Sequence, residues 1–337
     1  MSDKDFQRQF VAIVGAPRTG TTSLARFLRR HPDVCFSKVK EPHFFSQHDL
    51  NDLSDEDLRE TVEHDYLNRY FPHRHEDRCK VLAEGSVTYL YAPEQMRPIL
   101  RLWPNAKFIV SLRDPMEMLP SLHQRLLYLG DENVMDFDRA WSLVAERAQG
   151  RKIPRSCIEP RWLRYDEVGK LGSYVERFIK AVGRERCFFS VHDDMRANPA
   201  KAYGDLLEFL DLPPYEDVDL RPKRLNRGFK SGTLQRLLMR PPVVTRRLVA
   251  GKHMRRRTEK VEKLKKPESS VMQAVERGRK RLLEWNRAEA PPIKLSPKTR
   301  GEIREHYRPD IDHLGRILGR DLSHWLPLVK PERPTAR

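Results

Sequence analysis

Phe10-Val-Ala-Ile-Val-Gly-Ala-Pro-Arg-Thr-Gly-Thr-Thr-Ser-Leu24 is the stretch that decides the fold. An apolar run over 10–14 stops at Gly15. After Gly20 the residues Leu24, Phe27 and Leu28 recur at helical spacing up to Arg30, and Pro32 ends the pattern. A buried strand, a tight loop and a helix follow from that order. Backbone N–H groups converge where such a loop enters a helix, and the helix dipole adds positive potential, so the place binds phosphate. Pro17, Arg18, Thr19, Gly20, Thr21 and Thr22 are the candidate residues. Against the pattern G-x-x-x-x-G-K-[ST], Gly15 and Gly20 match, but Thr21 stands at the lysine position and Thr22 at the hydroxyl position. A kinase or ATPase needs that lysine and a carboxylate-assisted magnesium ion. Arg18 is the one cation in this loop, so the loop holds a phosphate without that apparatus.

Outward from the loop, strand and helix patterns alternate. Short strands are expected at 34–36, 81–84, 107–112 and 187–191. A helix runs from Pro115 to about Leu129, and Asn198-Pro199 opens another toward Leu210. Ser54-Asp-Glu-Asp57 has the spacing of a capping box and starts a helix toward Tyr70. Such alternation predicts an α/β fold of the P-loop type: three layers, with a central parallel sheet flanked by helices. Past Leu212 the texture changes. Pro213-Pro214, Pro241-Pro242 and Pro291-Pro292 interrupt the chain, no strong strand is visible, and the C-terminal part reads as helical. Ser296-Pro297 caps a last helix to about Leu318, and residues from Pro327 read as a tail. The expected organisation is one domain over 1–337. It comprises an α/β core at 10–212, a basic, mostly helical insertion at 213–295, the last helix at 296–326 and the tail at 327–337.

The 337 residues carry a formal charge of +16, with 39% hydrophobic and 33% charged residues. That supports one large core and favours anionic partners. From Arg221 to Arg281 about twenty Lys and Arg face four Glu. Nucleic-acid binding would call for aromatic residues between those cations, and only Phe229 is there. Peripheral contact with anionic surfaces fits the charge; oligomeric state is not legible. No run approaches the ~20 apolar residues of a membrane span, and the polar residues 1–9 lack the build of a secretory signal, so the cytoplasm is the expected compartment. Cys35, Cys79, Cys157 and Cys187 are far apart, form no C-x-x-C pair and read as small buried thiols, with neither a metal site nor a disulfide expected.

Leu112-Arg-Asp-Pro115 follows the clearest strand. An arginine at the carboxyl end of a parallel strand lies at the ligand edge of the sheet, and a guanidinium suits a phosphate monoester.

Taken together, Gly15-Ala-Pro-Arg-Thr-Gly-Thr-Thr-Ser-Leu24, Leu28-Arg-Arg-His-Pro-Asp-Val34 and Lys40-Glu-Pro-His-Phe-Phe45 resemble the opening of sulfotransferases that use 3′-phosphoadenosine-5′-phosphosulfate (PAPS). The likeness is to the heparan-sulfate and bacterial carbohydrate branch. It implies transfer of a sulfuryl group to a hydroxyl or amine, on a carbohydrate or glycosylated metabolite, without a metal and with adenosine 3′,5′-bisphosphate (PAP) as product. It implies that the loop holds the 5′-phosphosulfate, with Arg18 on the leaving phosphate, and that Arg113 with Ser121 holds the 3′-phosphate. Arg227, Gly228 and Lys230, in Leu225-Asn-Arg-Gly-Phe-Lys-Ser-Gly232, match a loop that closes over the cofactor. Glu41 matches the catalytic glutamate. His43 is its rival, since its ordinary pKa is nearer neutrality, although burial can raise a glutamate. Ala83-Glu-Gly-Ser-Val-Thr-Tyr-Leu90 aligns with a segment in which a lysine follows the glutamate. Here Gly85 stands there, which leaves the work to Arg18 or brings in Lys38 or Lys40. Ser86 and Tyr89 still match and are expected to line the acceptor cleft. The closing stretch from Ile311 to Leu322, with Trp325, fits the same family. The readings that compete with it are a P-loop nucleotide kinase or NTPase and a basic nucleic-acid-binding protein.

Overall fold

The computed structural model describes residues 4–221, 227–239, 270–290 and 292–326. Most of the basic run and the tail from Pro327 lie outside the described residues. The backbone forms two compact units. The first comprises Met1–Met118, Lys170–Lys223 and Tyr307–Pro327, and the second Leu119–Gly169, Arg224–His306 and Leu328–Arg337.

The first unit is built on five parallel strands: β1 (Gln9–Gly15), β2 (Val34–Phe36), β3 (Val81–Glu84), β4 (Lys107–Leu112) and β5 (Cys187–Val191). Their order is β2-β3-β1-β4-β5. All five stand where the hydrophobic runs predict them. β1 is central because it is apolar on both faces: residues Phe10 through Val14 are wholly buried. Alternation then divides the core. Val11 and Ile13 pack with Leu24, Phe27 and Leu28 of the helix Thr21–Arg30 and with Leu206, Leu207 and Leu210. Phe10 points the other way, stacked on Trp103 at 4.5 Å and edge-on to Phe45. Truncating a buried ring such as Phe27 would cost about 3–5 kcal/mol.

The chain leaves β1 toward β3 and β2, then returns to the far side of β1 as β4. The reversal of direction opens a crevice at the carboxyl ends of β1 and β4, where ligands bind in sheets of this kind. The registers Ile13↔Ile109 and Ser111↔Ser190 align β1, β4 and β5 so that the loops leaving them share that edge.

Three local departures have physical reasons. The helix opened by Ser54, whose hydroxyl accepts from the Asp57 N–H, reaches Tyr70 as expected, but its middle, Val62–Leu67, is a π-helix between α-helical Asp55–Thr61 and Asn68–Tyr70, with Val62, Tyr66 and Leu67 buried. Cys35 and Cys79 are disulfide-bonded, correcting their reading as separate thiols. The pairing of β2 with β3 brings their Cα atoms to 5.4 Å, a proximity that a separation of 44 residues conceals. Of the other two, Cys187 is buried and Cys157 is only partly so. The closing stretch is anchored by Trp325, whose indole N–H donates to Asp193 at 2.7 Å, and by Arg320, paired with Asp194.

In the second unit, where no strong strand is visible in the sequence, a small antiparallel ribbon forms from β6 (Arg227–Phe229) and β7 (Arg287–Glu289). Three-residue strands carry too little periodicity to read from sequence. Helices span Gly232–Met239 and Ser270–Trp285, and the helices Pro115–Leu129 and Pro297–Leu318 each pass from one unit to the other. A buried ion pair, Arg147–Glu132 at 2.9 Å, is closed by the Tyr165 hydroxyl donating to Glu132 at 3.0 Å. No described helix is long and apolar enough to cross a membrane.

Candidate active site

The phosphate loop is fixed from below. The Ala16 N–H donates to the Ser111 carbonyl at 2.8 Å, and the Ser111 hydroxyl donates to the Thr19 carbonyl at 2.9 Å. Thr19, itself buried, donates its hydroxyl to the Ala16 carbonyl at 2.6 Å. Two positions need glycine. Gly20 starts the helix at φ 110°, and a Cβ on Gly15 (φ 141°) would lie 2.9 Å from the Val87 carbonyl oxygen. No side chain caps the helix Thr21–Arg30, so its first N–H groups face the loop. Such a loop at a helix start is the kind of place that suits an anion, and cations lie beside it. Arg18 lies in the loop at φ 66°. Arg113, from the end of β4, donates to the Arg18 carbonyl at 3.0 Å and pairs with Glu117 at 2.8 Å.

The segment after β2 approaches the same loop. The Lys40 ammonium donates to the Thr21 hydroxyl at 3.1 Å and to Glu41 Oε1 at 2.8 Å. His43 Nε2 lies 3.5 Å from Glu41 Oε2, and its Nδ1 is 2.9 Å from the Thr88 hydroxyl. Both candidate bases therefore sit at one point. Burial pushes the Glu41 carboxyl up, but Lys40 and then His43 outweigh it and hold the acid well below the usual carboxylate range. Burial can raise a glutamate, but here the neighbours Lys40 and His43 reverse the sign.

Ser86 and Tyr89, expected at the acceptor cleft, are both fully buried. Ser86 donates to Glu84 at 2.5 Å and accepts from the His43 N–H at 2.8 Å; the Tyr89 hydroxyl accepts from the Phe45 N–H at 3.4 Å. The reason is Glu84, a carboxylate buried at the end of β3. Burial raises its pKa, and the hydroxyls of Ser86, Tyr89 and Tyr66 pull it back. These side chains hold the turn that carries Glu41 and His43.

Ser121 lies on the helix Pro115–Leu129, in the second unit, as do Arg227, Gly228 and Lys230. Arg227 and Gly228 belong to the ribbon, and Lys230 follows its first strand. Arg227 is exposed. A Cβ on Gly228 would lie 2.9 Å from the Ala290 backbone, and the Lys230 ammonium stands 5.1 Å from the centre of the Trp285 ring. Sequence reasoning missed Ser111, Thr88 and His192 altogether. Ser111 and Thr88 act only through contacts formed on folding. His192 follows β5 directly, and its Cδ2 lies 3.5 Å from where a Cβ on Gly20 would be.

A family model for the sulfotransferase domain matches residues 8–227. The chain belongs to the sulfotransferase family. The matched region contains the loop, Glu41, His43 and Arg113. Among curated relatives, the bifunctional heparan sulfate N-deacetylase/N-sulfotransferase 1 of Caenorhabditis briggsae is 26% identical over 210 residues, which is 60% of this chain and 22% of that protein. The human bifunctional heparan sulfate N-deacetylase/N-sulfotransferase 2 is 23% identical over 207 residues, with the same shares. The chain thus spans about a fifth of the length of the curated relatives it matches. A solved sulfotransferase from Alicyclobacillus acidocaldarius shares the fold, with a TM-score of 0.61 and 22% identity over 95% of this chain and 99% of that one.

Proposed function

We propose that this sulfotransferase moves a sulfuryl group from PAPS to a hydroxyl or amine of a carbohydrate or glycosylated metabolite, with Glu41 as general base. The observation that carries the reading is the bridge from Thr21 through Lys40 to Glu41, because it joins the anion cradle to a base. PAPS supplies a sulfur bonded to a phosphate oxygen: that S–O bond breaks with its electron pair staying on the phosphate, as the acceptor oxygen or nitrogen bonds sulfur. The loop residues 17–22 hold the 5′-phosphosulfate, and Arg18 offsets the charge that grows on the leaving oxygen, where stabilisation acts mainly on the transition state. Arg113 holds the 3′-phosphate. Glu41 takes the acceptor's proton, and His43, beside it, keeps the carboxylate oriented.

The carbohydrate preference draws on the printed names of the relatives. Its test is profiling with ³⁵S-labelled PAPS against a panel of desulfated glycans, glycosides and phenols. The expected result is label on sugar hydroxyls or amines without added magnesium. Label on phenols alone would contradict the acceptor class, and magnesium-dependent phosphate transfer from ATP would contradict the reaction.

A further inference from the structure

Lys40 has an arrangement that an ordinary neighbour ion pair does not require. Its ammonium has three N–H donors. Two are used, on the Thr21 hydroxyl and on Glu41, and among the described residues no third acceptor is present. Its side chain is only 20% exposed. The backbone clamps it from beneath, since the Gly85 N–H donates to the Lys40 carbonyl at 2.8 Å. Gly85 lies beside the lysine side chain: a Cβ there would stand 3.5 Å from Lys40 Cε, an ordinary contact. Position 85, at the end of β3, thus faces the space that the lysine side chain crosses on its way to Thr21. Thr21 is the first residue of the helix that binds the anion, so the third N–H is left for an oxygen of the bound donor.

We propose that Lys40 is a further catalytic residue, whose ammonium contacts the sulfuryl group between Thr21 and Glu41. The inference rests on the PAPS reading above. A cation here offsets charge on the sulfuryl oxygens during transfer. Gly85, which supplies no cation, and Lys40, which crosses in front of it, are two halves of one arrangement.

Calorimetry with PAPS and with PAP separates this role from a structural one, because the two ligands differ only in the sulfuryl group. Lys40→Met is expected to weaken PAPS about tenfold or more, the effect of losing a charge-assisted hydrogen bond, while PAP binding stays within about twofold. The double variant Lys40→Ala/Gly85→Lys is expected to regain most of the PAPS-over-PAP preference, since a lysine from position 85 enters the same space. Equal changes for both ligands, no change for either, or a double variant that regains nothing would each overturn the proposal. If the parent protein binds neither PAPS nor PAP more tightly than AMP, the donor reading itself fails, and that outcome is visible before any variant is made.

Discussion

Arg113 donates a hydrogen bond to the carbonyl oxygen of Arg18 at 3.0 Å, joining two motifs 95 residues apart. The guanidinium that ends β4 therefore touches the loop that ends β1, and the same side chain is steered from behind by Glu117. The two elements proposed to bind phosphate are thus joined by a hydrogen bond within the fold, which lowers the ordering cost of binding.

The role proposed for Arg113 predicts a preference for PAP over AMP. Losing a charged hydrogen-bonding partner costs about 1.5–3 kcal/mol, so Arg113→Ala should reduce PAP affinity roughly tenfold to a hundredfold and leave AMP nearly unaffected. Titration calorimetry with both nucleotides checks it. Equal losses for the two would remove Arg113 from the 3′-phosphate.

Arg18 should behave differently. Charge grows on the bridging oxygen as the S–O bond breaks, so Arg18→Ala is expected to lower turnover more than it raises the Michaelis constant for PAPS. A variant with parental turnover and only a raised Michaelis constant would contradict the assignment.

Asp114 should make stability depend on pH. Burial raises its carboxyl to about 7, with Glu117 and Asp193 adding to the rise while the Met116 N–H and Arg113 oppose it. The folded protein then holds a proton that the unfolded chain releases near pH 4. Stability falls as pH climbs from about 4 to 7. Asp114→Asn should flatten that slope and raise the melting temperature at pH 7.5 by ~3 °C or more. Parallel melting curves for parent and variant from pH 5 to 7.5 would refute this.

Ser86→Ala tests whether that hydroxyl is a support or a contact with acceptor. It leaves buried Glu84 and the His43 N–H each short of a partner, so a loss of about 1–3 kcal/mol in stability is expected. Chemical denaturation measures it. Unchanged stability with a raised acceptor Michaelis constant would restore Ser86 to the cleft.

How much of this was legible in the sequence follows from where the information resides. The strand–loop–helix around Gly15 and Gly20 is local: apolar run, glycine and helical spacing all lie between Phe10 and Leu28, and the structure has it there. Arg113 was legible for the same reason, as a cation at the end of a buried strand. What escaped is long-range. Ser86 and Tyr89 sit beside the site in sequence pattern, yet the buried charge of Glu84 draws their hydroxyls inward, and only packing reveals that. The sign of the Glu41 shift depends on Lys40 and His43 bending back onto it, which sequence order permits without requiring. Cys35 and Cys79 meet only because β2 pairs with β3.

The central claim is that Glu41, and not His43, removes the acceptor's proton. Glu41→Gln keeps the shape and removes the base, whereas His43→Ala removes only a neighbour that orients the carboxylate. Single-turnover transfer from ³⁵S-labelled PAPS, with the best acceptor of the panel, measures both. Glu41→Gln is predicted to bind PAP normally and to lose about 10²–10⁴-fold in rate, with His43→Ala retaining much more. An active Glu41→Gln enzyme beside an inactive His43→Ala enzyme would contradict the account.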